Sequence, residues 1–505
     1  MRITKVTAKF SFLAVIAVGF LSCPNLSGQT DQWQLRAEFF GEIGAGLGRK
    51  LTIEGDKVFV GSISGLNIVN PVRGPQQSAM IELMIEDPIP SEGNCNGNPV
   101  TNRCGFGYSL AAEQTGENSF RLMIGDTGHS LDENGQEAPN MFGAQVGDAH
   151  LYDLDLNQAV ILEDFSNPVP FLEQDLFGSP LNIGSEFGHD VVLEGGFAAV
   201  GAPFDTVEGF MFSALGTGKA FAFDLNSGSP TSAIELYDAT PGTGDGFGAY
   251  LAISNGIIAV SDQGDDVGLA SGEGKVRLYD ASAISGDTLL PFEVITADSA
   301  TTRQFGWDVD MHDDLILVGH THGASLYQLV GQDANLIFTI TDPMTNGQPV
   351  YGTFGRHVSL DENRIVVARQ GQTNLVGDAI IPEAVFVFTY NVASATYEQE
   401  TVLFDEAPGS ALESYPSAVD ISGNLLAVGS NFAQNTMGYR GEFFLYDFGR
   451  LIGDVNRDGA INLIDVGPFV DALSGSYFQF EADINEDGAV NALDISPFVD
   501  LLNNL

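Results

Sequence analysis

The strongest chemical signal in the chain is a repeated spacing of oxygen-bearing residues near the C-terminus. Asp454, Asn456, Asp458, Asn462 and Asp465 supply side-chain oxygens at places 1, 3, 5, 9 and 12 of a twelve-residue loop. The Ala460 carbonyl falls at place 7, and Gly459 makes the sharp turn at place 6. Hard oxygen donors in this order suit Ca2+. Asp483, Asn485, Asp487, Ala489, Asn491 and Asp494 repeat the set, with Gly488 at the turn. Each loop opens a short apolar helix containing Pro-Phe-Val-Asp, Pro468 to Asp471 and then Pro497 to Asp500. The two helices are expected to bring Leu463, Val466, Phe469 and Val470 against Leu493, Ile495, Phe498 and Val499.

Elsewhere the chemistry is sparse. His320 and His322 flank Thr321 at a predicted strand end, where both could serve a metal with a third ligand. No nearby Cys or third His completes such a set, and a pair of surface polar residues is the simpler reading. Asp308 and Asp310 have the character of a glycosidase acid pair. In a chain with 67 acidic residues such pairs arise by chance, so a solvated face is expected. The chain has no Gly-x-Ser-x-Gly elbow and no His-Glu-x-x-His motif.

The elements that would position these residues form a repeat. Phe187-Gly188 leads through Gly195-Gly196 to Ala199-Val200-Gly201-Ala202-Pro203. Phe106-Gly107, Phe247-Gly248, Phe305-Gly306 and Phe354-Gly355 each lead to a similar second strand, and weaker copies start at Leu47-Gly48 and Tyr415-Pro416. Two further strands follow each hairpin, Lys219 to Asp224 and Ser232 to Tyr237 in the third copy, Lys275 to Asp280 and Phe292 to Thr296 in the fourth. Seven units of four strands predict an all-β, seven-bladed propeller, followed by a small α-helical calcium-binding domain. The last copy stops after Glu442 to Asp447, one strand short. The segment Trp33 to Phe40 has no unit of its own, so pairing the two would close the ring.

The Phe-Gly…Val-Gly-Ala-Pro units over roughly 33–448 resemble the FG-GAP repeats of the integrin α-chain propeller and related bacterial secreted proteins. That family often carries a calcium loop of alternating acids; Asp262, Asp265 and Asp266, or Asp126 and Asp132, have the charge without the spacing. With Asp at place 12 and a duplicated loop–helix, residues 450–505 resemble an EF-hand-like dockerin type I domain. The resemblance implies folding on calcium and docking on a cohesin-like partner through places 10 and 11, often Ser-Thr. Here those places hold Leu463-Ile464 and Ala492-Leu493, which leaves open an apolar docking face for another cell-surface protein or for the propeller itself.

Composition fits an exported protein. Acidic residues outnumber basic ones 67 to 20, a net charge of −47, which repels nucleic acid and anionic lipid and attracts divalent cations. Arg2, Lys5 and Lys9 precede an apolar run, Phe10 to Leu21, of signal-peptide length. Residues 1–28 are therefore expected to be a signal peptide and 29–449 the propeller, with lipidation of Cys23 the alternative to release. Cys95 and Cys104 bracket a polar loop that a disulfide would close. The expected function is a secreted, calcium-binding, non-enzymatic binding or adhesion protein, its propeller facing a glycan or protein ligand. The alternatives are a dockerin-borne polysaccharide hydrolase or lyase, and a purely structural surface component. A convergent acid pair in the central funnel would favour the enzyme; a funnel lined by Gly and apolar side chains would favour the binder.

Overall fold

The computed structural model describes residues 33–503 apart from 41–46, 71–79, 87–104, 132–143, 169–184, 206–215, 266–271, 298–303, 343–352, 371–382, 405–414, 449–452, 456–460, 475–481, 486–489 and scattered single or paired positions. The expected signal peptide, Cys23, Cys95 and Cys104 lie outside the described residues, as do Asp132, Asp266, Asp454, Asn456, Asp458, Ala460, Asp483, Asp487 and Ala489.

Seven sheets of four or five strands make the blades. Their first strands are Leu51–Glu54, Phe106–Gly116, Val191–Glu194, Leu251–Ser254, Val309–His312, Thr353–Leu360 and Ala418–Ser422. Each first strand touches the next in a closed cycle, so these strands surround the propeller axis. Blade 7 combines Ala418–Ser422, Leu425–Ser430 and Glu442–Phe448 with the N-terminal strand Trp33–Phe40. That last pairing is antiparallel and runs from Trp33 opposite Phe448 to Phe40 opposite Glu442. The ring is thus closed by its two ends, as the strand count requires. Blades 3 and 4 run as the repeat predicts, with their fourth strands trimmed to Ile234–Leu236 and Glu293–Thr296. One addition was not foreseen: Thr288–Leu289, ahead of blade 4's outer strand, pairs parallel with Ile234–Leu236 as a fifth strand of blade 3.

The apolar core lies between blades. Val192, Ala199 and Ala222 of blade 3 pack against Phe247, Leu251, Ile258 and Val260 of blade 4. A cluster of the same kind fills every other junction. The motif Phe residues Phe106, Phe187, Phe247, Phe305 and Phe354 are fully buried in these layers.

The glycines of the repeat have a steric reason. Gly248 has φ +87, and a Cβ on Gly201 of the preceding blade would sit 1.9 Å from the Gly248 carbonyl oxygen. At this junction the Val-Gly glycine therefore leaves the room in which the next blade's Phe-Gly corner seats, whereas in blade 4 Ser261 holds the same place beside Gly306. The same contact recurs at Gly61 with Gly107, Gly125 with Gly188, Gly319 with Gly355 and Gly429 with Gly48. Gly201→Ala should cost about 2–3 kcal/mol by forcing two blades apart. Gly228→Ala, with nothing within 4 Å of its Cβ, should stay within about 0.5 kcal/mol of wild type. Equal urea midpoints for the two variants would refute this account of the motif.

First strands facing the axis leave backbone N–H groups that need acceptors. Acidic side chains of the preceding blade supply them. Asp190 accepts from Leu251 N–H (2.9 Å), Asp420 from Ile53 (2.6 Å) and Glu54 from Gln114 (3.0 Å). Asp308 and Asp310 do the same for Val358 (3.0 Å) and Leu360 (2.7 Å). These two carboxylates are not a solvated pair, as the sequence suggested, but structural acceptors between blades 5 and 6.

In the C-terminal segment two helices are present, α1 (Val466–Ser474) and α2 (Ile495–Asn503). Among the described residues no helix is long and apolar enough to cross a membrane.

Candidate functional site

The described part of the first calcium loop begins its helix with a reciprocal cap. The Asn462 side chain accepts from Ile464 N–H (2.8 Å), and the Asp465 carboxylate accepts from Asn462 N–H (2.7 Å). The second loop repeats this, with Leu493 N–H donating to Asn491 (2.9 Å) and Asn491 N–H to Asp494 (2.8 Å). Asp494 also accepts from Asn485 N–H (3.1 Å), which draws the start of its loop against the end. Asp465 and Asp494, at place 12 of each loop, are fully buried. Five of the predicted ligands, Asn462, Asp465, Asn485, Asn491 and Asp494, are thus described. All are amide or carboxylate oxygens, a donor set that fits Ca2+ and not a softer metal.

The expected helix–helix contact is only partly formed. Phe469 and Phe498 stack with ring centroids 4.1 Å apart, amid Val455, Ala472 and Ala482. Leu463, Val466, Val470, Leu493, Ile495 and Val499 instead face outward, with Leu463 79% and Leu493 67% exposed. A nine-residue helix offers one narrow inward stripe, which Phe469, Ala472 and Leu473 fill in α1 and Phe498 and Leu502 in α2; Val466, Val470, Ile495 and Val499 remain on the surface.

In the propeller, the residues just after each Phe-Gly corner gather at one end of the axis. Lys50 of blade 1 reaches Asp190 of blade 3 (3.0 Å). Tyr108 donates to His189 Nε2 (3.2 Å), whose Nδ1–H donates to the Ala249 carbonyl (3.1 Å). Arg49 stacks over the Tyr108 ring (3.5 Å to the centroid) and Arg356 over Trp307 (5.2 Å). Tyr250 lies within electrostatic range of Asp308, Arg356, Tyr108 and Asp190, which brings charged and polar groups from blades 2 to 6 into one region. All these groups except buried Asp190 are half-buried. Burial holds His189 down to about 4 and His357, which also faces Arg356 and Lys50, down to about 3, so both rings are neutral near pH 7. Burial pushes Asp308 up to about 7, against the pull of Lys50. Lys50 is held charged, its burial outweighed by Asp190 and Asp308. The mouth is therefore neither Gly-lined nor apolar; it is aromatic and carries three cations, Arg49, Lys50 and Arg356, set among the carboxyls Asp190, Asp308 and Glu186. Sequence reading missed this set, although aligning the seven copies on Phe-Gly puts Arg49, Tyr108, His189, Trp307 and Arg356 in one column.

His320 and His322 do not form a metal pair. His320 is buried, not on the surface; His322 N–H donates to its Nδ1 (3.3 Å) and its Nε2 meets Ser325 Oγ (3.3 Å). Asp262 and Asp265 lie in a buried network with Lys275 and Arg277.

Residues 452–499 match the family model of the dockerin type I domain. Over 82% of this chain and 99% of its own length, the crystal structure of the β-propeller domain of Myceliophteria thermophila Cps50 (Swd1) is similar, at 9% identity and a TM-score of 0.46. No curated protein matches the chain.

Proposed function

We propose that this is an extracellular, non-enzymatic binding protein in which a calcium-loaded dockerin tethers a propeller whose axial mouth binds an acidic glycan. Dockerin type I domains bind calcium and seat on cohesin partners in general. At places 10 and 11 this chain presents exposed Leu463 and Ile464, with Leu493 in the second loop, so the favoured partner is a cohesin-like or other cell-surface protein with an apolar seat. The FG-GAP resemblance is supported by the reciprocal glycine contacts, which give the motif a shared physical role.

The observation that carries the ligand assignment is the pair of stacked cations, Arg49 on Tyr108 and Arg356 on Trp307, beside Lys50. Each guanidinium lies over a ring face, which restrains it while its N–H groups remain donors for a carboxylate or sulfate. With only 20 Lys and Arg in the chain, three stand at one mouth; Lys50 is paired with Asp190, which leaves the two guanidiniums to meet an anionic ligand. A glycan array should show uronic-acid or sulfated oligosaccharides bound over neutral ones, and Arg49→Ala with Arg356→Ala should weaken binding at least about tenfold. Equal binding of neutral glycans, or an unaffected double variant, would overturn the assignment. The observation favouring turnover is a set of carboxyls that burial pushes up to about 7, Asp308, Asp420 and Glu186. Asp308 already accepts N–H groups from Val309 and Val358, Asp420 accepts from Ile53 N–H and the Ser359 hydroxyl, and Glu186 faces Arg49.

A further inference from the structure

We propose that the junction of blades 3 and 4 contains a calcium site formed by Asp238, Asp245 and Asp262, separate from the C-terminal loops. Asp238 follows blade 3's fourth strand, Asp245 precedes the Phe247-Gly248 corner, and Asp262 ends the second strand of blade 4. One carboxylate oxygen from each lies within 4.8 Å of the other two. Oxygens on opposite sides of one Ca2+, each about 2.4 Å from it, stand about 4.8 Å apart, so the three fit a single coordination sphere.

A second observation points to a missing ligand. Asp262 is 0% exposed, and its Oδ1 has no hydrogen-bond partner; Asp238 Oδ2 is buried in the same condition. Nearby cations do not account for these oxygens. Arg277 is bound to the other oxygen of each, Asp262 Oδ2 and Asp238 Oδ1, and also to Asp265 Oδ2 and Thr240. Lys275 is bound to Asp265 (2.6 Å). Gln263 Oε1 and Glu273 Oε2, from the flanking segments, are further buried acceptors without a donor. Acceptors gathered without donors are what a cation site looks like, because burying them unpaired is costly. Charge agrees: the three carboxylates Asp238, Asp262 and Asp265 share the two cations Arg277 and Lys275, Asp245 adds a fourth acid, and a divalent ion removes the excess. Carboxylates from three separate segments form an irregular cage, which suits the flexible sphere of Ca2+ better than the strict octahedron of Mg2+.

The test counts calcium. Full-length wild type and Asp245→Asn, stripped with chelator and equilibrated at about 1 mM Ca2+, are desalted and their bound calcium measured by atomic absorption. Asp245→Asn leaves the Arg277 pairs intact, and it should bind one ion fewer than wild type. The propeller's melting transition should rise with calcium in wild type and not in the variant. Asp262→Asn should behave as Asp245→Asn if it folds. Equal calcium content in wild type and Asp245→Asn would mean that water, not a metal, fills the junction, and would overturn the proposal whatever the C-terminal loops bind.

Discussion

Deleting residues 29–40 should open the ring. The strand Trp33–Phe40 supplies the outer edge of blade 7, and Phe39 stacks on Phe443 with centroids 4.3 Å apart and rings nearly parallel. Without it, Glu442–Phe448 presents an unpaired row of N–H and C=O groups, and nothing from the N-terminus holds blade 7. The loss should be on the order of 4 kcal/mol, from one large aromatic contact and a full ladder of net backbone bonds. The truncated protein should melt several degrees lower and self-associate through the bare edge. Phe39→Ala, which spares the ladder, should cost about 2 kcal/mol. Unchanged melting with a monomeric truncated chain would mean that the blades hold one another without this strand.

How much of this was legible depends on how local each signal is. Blade count and ring closure could be read because a hairpin with similar steric demands, Phe in the junction and Gly at the corner, is written out in five copies and echoed by Leu47-Gly48 and Tyr415-Pro416 in the other two. The strand left over at one end and missing at the other then had one place to go. Inter-blade carboxylates were not legible. Asp308 and Asp310 look like any acid pair until the neighbouring strand's N–H groups appear beside them. The acid cluster at blades 3 and 4 was hidden for the same reason, its members standing 7 and 17 positions apart in sequence. The C-terminal loops were the reverse case, since all their donors lie within twelve consecutive residues. What spacing did not reveal there was orientation: hydrophobic character alone does not say that Phe469 turns inward while Val470 faces out.

That orientation strengthens the expectation that the C-terminal module folds only with calcium. Its buried apolar set is small, Val455, Phe469, Ala472, Ala482 and Phe498, and helices of nine residues are marginal alone in water. Against this stand three acids per loop, Asp454, Asp458 and Asp465 in the first, Asp483, Asp487 and Asp494 in the second, which the loop pattern converges on one point. Two of them, Asp465 and Asp494, are fully buried, where a charge is costly even with the backbone N–H groups each accepts. Calcium removes the repulsion and adds its binding energy to folding, about 2.7 kcal/mol per site at a hundredfold excess over Kd. Far-UV circular dichroism of residues 450–505 should therefore show helix appearing on calcium titration and disappearing with chelator. Asp454→Ala with Asp483→Ala should abolish that helicity while the propeller in the full chain keeps its own melting transition. A module equally helical in excess chelator would show that the stacked Phe469 and Phe498 suffice and that the metal is incidental to the fold.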